Sequence, residues 1–211
     1  ECGYEEIAYN SCRNRHCPNC QTGKKLKWIE ARKEEVLNIK YYHVVFTIPS
    51  EIYSIVNQNQ EKMYKILFKA SAETLQELAE DKKYLGGEIG FFSILHTWGQ
   101  NLMYHPHIHA IVTGGGLTEI GKWVEKEGDF FIPVKVMSRK FRGKFLSYMK
   151  GTKLEFYGKN KELENPAVYN DFLQSMYSKE WIVYCKEPFK NAGSVIQYLG
   201  RYTHRVAISN E

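Results

Sequence analysis

The stretch GFFSILHTWGQNLMYHPHIHAIVTGGG, residues 90–116, contains two runs of apolar, aromatic and β-branched residues separated by a short polar segment. This pattern predicts an antiparallel hairpin with strands at residues 90–98 and 107–115. The apolar residues of the second run indicate a buried strand. The three glycines at 114–116 are predicted to form the exit turn of that strand.

The histidines of this stretch are placed by the geometry of the hairpin. Side chains alternate between the two faces of a strand, so His107 and His109 share one face while Ile108 points to the other. If the turn centres between residues 101 and 102, His96 lies directly across from His107 on the same face. The hairpin therefore predicts three histidines on one face of a sheet.

The segments around the hairpin predict an α+β fold, an antiparallel sheet covered by helices. The longest helix is predicted at residues 59–81, which lack Gly and Pro and carry apolar residues at helical spacing. Shorter helices are predicted at residues 24–40, 136–149, 167–177 and 191–205, and further strands at 41–49, 128–136 and 181–189.

Composition bounds the class of protein. The chain has 211 residues, 43% of them hydrophobic, a net charge of +5 and seven histidines. It has no apolar run long enough to span a membrane and no signal peptide, so we expect a soluble, cytoplasmic protein with no membrane partner. It begins with Glu1, which leads us to expect a fragment truncated at both ends.

Positive charge is concentrated in two segments, residues 11–33 and residues 135–153, and the second contains no acidic residue. One such run is usually a solvated surface, but two of them with a pI near 8.8 indicate a phosphate-rich partner. The candidate residues for contacting such a partner are Arg139, Lys140, Arg142, Lys144, Arg201 and Arg205.

Four of the five cysteines lie within the first 20 residues. Cys17 and Cys20 have the C-x-x-C spacing of a structural zinc site, and Cys2 with Cys12 would complete four ligands, unless a residue upstream of Glu1 replaces one of them. His16 is a weaker candidate, and unconnected buried cysteines are the alternative. The sequence predicts a structural Zn²⁺ knuckle.

Two imidazoles on one strand face can bind one divalent ion, and His96 is the expected third ligand. Gln100 or an acidic residue is an alternative third ligand, and His105 is expected to be a neighbour of the site. Open coordination positions would make such a centre catalytic. A polar patch of hydrogen-bonded histidines is the non-metal alternative. An amidohydrolase barrel is disfavoured. That fold requires about 250 residues and further metal ligands downstream of His109, where His204 is the only histidine.

Tyr198 and Tyr202 in YLGRYTHR lie four residues apart, on one face of the predicted helix. Combined with the histidines and the cysteines, this pair makes the chain resemble the two-tyrosine rolling-circle transposases of bacterial insertion sequences, which belong to the HUH nuclease superfamily. The resemblance is carried by SCRNRHCPNCQ (11–21), YYHVVFTIP (41–49), HTWGQNL (96–102) followed by HPHIHAIVTGGG (105–116), and YLGRYTHRVAIS (198–209).

The resemblance implies that His107 and His109 bind Mg²⁺ or Mn²⁺ and that Tyr198 and Tyr202 are the nucleophiles. It also implies a ferredoxin/RRM-like nuclease domain at residues 41–211, preceded by a zinc knuckle with a linking helix at residues 1–40. The expected partner is single-stranded DNA, both transposon ends and target, in the bacterial nucleoid. The alternatives are a non-enzymatic zinc-containing DNA-binding protein and an HUH replication initiator or relaxase.

Overall fold

The computed structural model describes residues 36–99, 103–125 and 132–186, together with residues 23, 26, 27, 29–31, 189, 194–196 and 198. The chain divides into two compact units, Glu1–Leu37 with Gly193–Glu211, and Asn38–Ala192. The second unit contains the sheet and its covering helices. No helix within the described ranges is both long and apolar enough to cross a membrane.

The elements of the second unit alternate between strands and helices. In chain order they are β1 (Tyr41–Thr47), a 3-10 turn (Ser50–Ile52), α1 (Tyr53–Gln58), α2 (Gln60–Glu80), β2 (Glu88–Trp98), β3 (Tyr104–Leu117), β4 (Trp123–Glu125), α3 (Val134–Gly151), a second 3-10 segment (Gly158–Glu164), α4 (Pro166–Ser178) and β5 (Val183–Lys186).

The five strands form one antiparallel sheet in the order β2-β3-β1-β5, with β4 paired to the end of β3. The predicted α+β class is confirmed. The predicted hairpin is confirmed as β2 and β3, and His96 pairs with His107 as the turn position predicted. His109 pairs with Val45 of β1 on the other side of β3. The sheet therefore surrounds the histidine strand with a partner on each side.

The core lies on the face of the sheet opposite the histidines. Val44 and Phe46 of β1 and Ile108 of β3 are fully buried there, and the Phe46 ring contacts Phe141 of α3 with centroids 5.0 Å apart. Strand alternation sends the intervening residues to the other face. One face of β3 therefore packs against helices, and the other presents His107 and His109.

The predicted exit turn at residues 114–116 is wrong, because β3 continues through these glycines to Leu117. A Cβ atom on Gly115 would lie 2.5 Å from the Val124 carbonyl oxygen, and one on Gly116 would lie 2.5 Å from that of Glu88. The glycines are needed because the backbones of β2 and β4 approach β3 too closely for a side chain.

The predicted strand at residues 128–136 is also wrong where the structure describes it, because Val134 begins α3. Pro133 precedes that helix with φ −57° and accepts hydrogen bonds from the backbone N–H groups of Val136 and Met137. Proline lacks the N–H that a strand ladder needs and suits a helix start. Residues 126–131 lie outside the described part of the chain.

The other predicted elements differ mainly in length. The helices predicted at 59–81, 136–149 and 167–177 are confirmed as α2, α3 and α4, and the strand predicted at 41–49 is confirmed as β1. Of the strand predicted at 181–189, the described residues form β5 at Val183–Lys186. The helix predicted at 24–40 is helical at residues 26, 27 and 29–31 but not at residues 36–40.

Candidate metal centre

Three histidines converge on the face of the sheet opposite the core formed by Val44, Phe46 and Ile108. His96 of β2 and His107 and His109 of β3 each offer one ligand atom, and these atoms lie within 4.8 Å of one another. The three side chains are buried, with 5%, 8% and 8% of their surface exposed. Antiparallel pairing produces this arrangement, because His96 lies opposite His107, and His109 lies two residue pairs further along the ladder on the same face.

Hydrogen bonding fixes which nitrogen of His107 faces the centre. Its Nδ1 lies 2.6 Å from the backbone carbonyl oxygen of His105. A carbonyl oxygen can only accept, so His107 carries its proton on Nδ1. The lone pair of Nε2 is therefore the one that remains for a metal ion.

The structure adds a fourth histidine, His43 of β1, which the sequence did not single out. His43 is buried, and its Nε2 lies 2.7 Å from Nδ1 of His109. The two residues are diagonal neighbours on one face, because His43 pairs with Ile111 in the β1–β3 ladder. The sequence did contain a signal, a single histidine within the apolar strand YYHVVFT. Strand alternation places it on the same face of the sheet as His109.

His105 belongs to a separate contact. Its Nδ1 forms a hydrogen bond with the hydroxyl of Tyr53 in α1, and its ring centroid lies 4.8 Å from that of His107. Its side chain is half-buried. His105 is therefore a neighbour of the three-histidine cluster, and its side chain is hydrogen-bonded to Tyr53 of α1.

Burial keeps His43, His107 and His109 neutral. It lowers the pKa of His109 to about 2, with further lowering by the neighbouring histidines, beginning with His96. The pKa of His43 is lowered to about 4 by burial first and then by the charge of Lys186, and burial also lowers the pKa of His107. Neutral imidazoles present lone pairs, so His107 and His109 are in the protonation state that a cation requires.

This burial predicts how the stability of the metal-free protein depends on pH. Below about pH 6.5 the histidines of the unfolded chain bind protons, whereas buried His43 and His109 of the folded chain stay neutral to lower pH. The free energy of unfolding therefore falls as pH falls from about 6.5 towards 4. Each group contributes at most about 1.4 kcal/mol per pH unit. Urea unfolding at about pH 7, 6 and 5 measures the slope. Replacing His109 by Gln should reduce it, and equal slopes in the two proteins would contradict the assignment.

The predicted basic surface of α3 is partly neutralised within the chain. Lys140 lies 2.7 Å from a Glu77 carboxylate oxygen, and Lys144 lies 2.9 Å from Glu73 and 2.5 Å from Glu77, both in α2. Arg142 donates to the backbone carbonyl of Lys179 and lies over the Tyr177 ring. Within the described ranges, Arg139 is the member of this group that forms neither an ion pair nor a hydrogen bond.

Several predicted site residues lie outside the described residues. They are Tyr202, Arg201, Arg205, Gln100 and the four cysteines Cys2, Cys12, Cys17 and Cys20. Tyr198 is described, is helical like residues 194–196, and is half-buried. It belongs to the first compact unit, whereas the histidine cluster belongs to the second.

Two protein-family models match the chain. One, described as "Putative transposase", matches residues 90–211, which include the histidine strand and both predicted tyrosines. The other, described as "Transposase zinc-binding domain", matches residues 1–48. The first model covers more than half of the chain.

Similar proteins come from bacteria. "Putative transposase y4qJ" of Sinorhizobium fredii (strain NBRC 101917 / NGR234) is 47% identical over 215 residues, covering 100% of this chain and 54% of the relative. "Transposase for insertion sequence element IS801" of Pseudomonas savastanoi pv. phaseolicola is 29% identical over 213 residues, covering 99% of this chain and 50% of the relative. The chain thus spans about half the length of these relatives.

Among solved structures, a metal-bound conjugative relaxase TrwC in complex with OriT DNA is similar with a TM-score of 0.42 and 11% identity. The match covers 77% of this chain and 70% of the relaxase. At that level of similarity it supports no statement about function.

Proposed function

The chain belongs to the family of transposases whose model matches residues 90–211, and on that premise we propose that it cuts and rejoins single-stranded DNA during rolling-circle transposition. The observation that carries the proposal is the convergence of three buried histidines on one sheet face. Within this family, a cation-binding cluster of that kind suits chemistry at a phosphodiester.

We propose that His96, His107 and His109 hold a divalent ion, Mg²⁺ or Mn²⁺. Three imidazole nitrogens would fill only part of the coordination shell of such an ion and would leave the rest to phosphate oxygens. When bound, the ion would polarise the scissile phosphate and stabilise its developing negative charge. His107 contributes Nε2, because its Nδ1 donates to the carbonyl of His105.

The proposed nucleophiles are Tyr198 and Tyr202. The phenolic oxygen forms a bond to phosphorus while the bond from phosphorus to the 3′ oxygen breaks, and a proton passes to the leaving 3′ oxygen. The products are a 5′-phosphotyrosine and a free 3′-hydroxyl. Attack by a 3′-hydroxyl on the ester reverses these bond changes, so strands can be rejoined without ATP. A second tyrosine allows another cleavage while the first is occupied.

We further propose that residues 1–40 form a zinc knuckle, with Cys2, Cys12, Cys17 and Cys20 as ligands, and that residues 41–211 form the nuclease domain. The match of the zinc-binding model to residues 1–48 supports this division. Four thiolates fill a tetrahedral site, which would make the zinc structural.

Basic side chains are proposed to contact the DNA backbone. Arg139, Arg201 and Arg205 are the first candidates. Lys140, Arg142 and Lys144 remain in the proposed set, but each would have to share or exchange its partner within the chain. Mutation of the lysines is therefore expected to affect α2–α3 packing as well as DNA binding.

A covalent adduct assay tests the proposed function. Full-length, zinc-loaded protein is incubated with a broad set of labelled single-stranded oligonucleotides and Mn²⁺, then denatured and separated by electrophoresis. We expect a denaturant-resistant protein–DNA band that disappears when metal is chelated before DNA is added. DNA binding without any covalent band, over the whole set, would instead support a non-enzymatic DNA-binding protein.

A further inference from the structure

We propose that His43 is a positioning residue that accepts a hydrogen bond from Nδ1–H of His109 and so directs the Nε2 lone pair of His109 toward the metal ion. This inference rests on the proposed metal centre. It concerns a residue of β1, 66 positions before His109 in the chain, that is not itself one of the three converging ligands.

The two rings are arranged for an in-plane hydrogen bond. Their planes differ by 9° and their centroids are 5.0 Å apart, while Nε2 of His43 lies 2.7 Å from Nδ1 of His109. A ring nitrogen lies close to its own centroid, so these distances agree only if both nitrogens lie near the line joining the centroids. The rings therefore meet edge to edge, along the directions of the lone pair and the N–H bond, and do not stack face to face.

Proton counting gives this hydrogen bond a direction when a metal ion is present. A neutral imidazole has one N–H and one lone pair. If His43 donated, Nδ1 of His109 would accept, and the proton of His109 would lie on Nε2, where it blocks a metal ion. If His43 accepts, the proton of His109 lies on Nδ1 and Nε2 carries the lone pair that can coordinate a metal ion. Only the second arrangement allows His109 to be a ligand.

His107 shows the same arrangement with a different acceptor. Its Nδ1–H donates to the backbone carbonyl of His105, so its Nε2 is also left for the metal. His107 and His109 thus each have Nδ1 hydrogen-bonded to a partner outside the three converging ligands. The partner is a backbone carbonyl for His107 and the His43 side chain for His109. Such outer partners hold ligand rings in place, and their loss typically lowers metal affinity about 10- to 100-fold.

Two substitutions separate the acceptor role from simple filling of space. His43→Gln keeps an acceptor, because its side-chain carbonyl can reach the position of Nε2, but it loses the ring. His43→Phe keeps a ring of similar shape but has no acceptor. Binding of Mn²⁺ alone to the full chain, with zinc already in the knuckle, is measured from the paramagnetic resonance signal of free Mn²⁺. We expect about 10- to 100-fold weaker binding for His43→Phe and a change of at most a few-fold for His43→Gln.

A second measurement uses the unaltered protein and does not depend on a variant folding. In protein with ¹⁵N-labelled histidines and bound Mg²⁺, which is diamagnetic, we expect the Nδ1-protonated tautomer for His109. An Nε2-protonated His109 in the metal-loaded protein would overturn the proposal. It would also be overturned if His43→Phe bound Mn²⁺ as tightly as the unaltered protein, or if both variants lost the same affinity.

Failure of this proposal is distinguishable from failure of the metal centre itself. If the unaltered protein bound no Mn²⁺ at the three histidines, the proposed centre would fail before any variant was compared. If it bound Mn²⁺ and the His43 variants did not differ, only the positioning role would fail.

Discussion

Replacing Tyr198 by Phe is expected to reduce formation of the first covalent protein–DNA adduct at least about 1,000-fold, because the substitution removes the oxygen that attacks phosphorus. Tyr198 is half-buried in a helical segment, and Phe has the same ring and helix propensity similar to Tyr. Stability should therefore change little. The measurement is the rate of adduct formation under single turnover, with saturating Mn²⁺ and an oligonucleotide that the unaltered protein cleaves.

The matched control is Tyr157→Phe. Tyr157 is a tyrosine outside the proposed site: its hydroxyl donates a hydrogen bond to Glu155, and its side chain lies exposed in the segment after α3. Its substitution should leave the adduct rate within about two-fold, as expected for a surface change away from the site. Tyr202→Phe is expected to impair the second cleavage and therefore strand transfer. If both Tyr198 and Tyr202 can be replaced with the adduct unchanged, the assigned nucleophiles are wrong.

The central hairpin was predictable because its information is local. Alternation along residues 107–109 and a short connection between the strands were enough to predict that His96 lies opposite His107. The error at residues 114–116 has a nonlocal cause. Glycine is compatible with a turn or with a close backbone approach, and only the positions of β2 and β4 decide between the two.

The parts of the candidate site that the sequence missed depend on strand order and helix packing. His43 reaches His109 because β1 pairs with β3, and no spacing rule connects residues so far apart. The basic face of α3 was predicted from its own sequence, but its pairing with Glu73 and Glu77 depends on the packing of α2 against α3. Local periodicity predicts which face a residue occupies, and it does not predict which element covers that face.

Replacing both His107 and His109 by Ala is expected to remove the divalent ion and to lower the rate of DNA cleavage at least about 100-fold. Loss of one group that stabilises transition-state charge typically costs about 2.7–4 kcal/mol, equivalent to about 100- to 1,000-fold in rate. Both side chains lie on the sheet face opposite the core formed by Val44, Phe46 and Ile108, so the substitutions leave the side chains of that core unchanged. Direct Mn²⁺ binding and cleavage rates measured across a range of Mn²⁺ concentrations test the two effects separately.

His105→Ala is the matched control, because His105 lies on the same strand face two residues from His107. Its Nδ1 bonds to Tyr53, and the atom that accepts from His107 is its backbone carbonyl oxygen, which the substitution leaves in place. We therefore expect His105→Ala to retain Mn²⁺ binding while the double variant loses it.

Equal losses in the two proteins would mean that the affinity depends on the general histidine content of this face. Retained binding in the double variant would place the ion elsewhere. Loss in the double variant alone would assign the ion to His107 and His109. Nδ1 of each is hydrogen-bonded within the protein, which leaves the Nε2 lone pair to coordinate the ion.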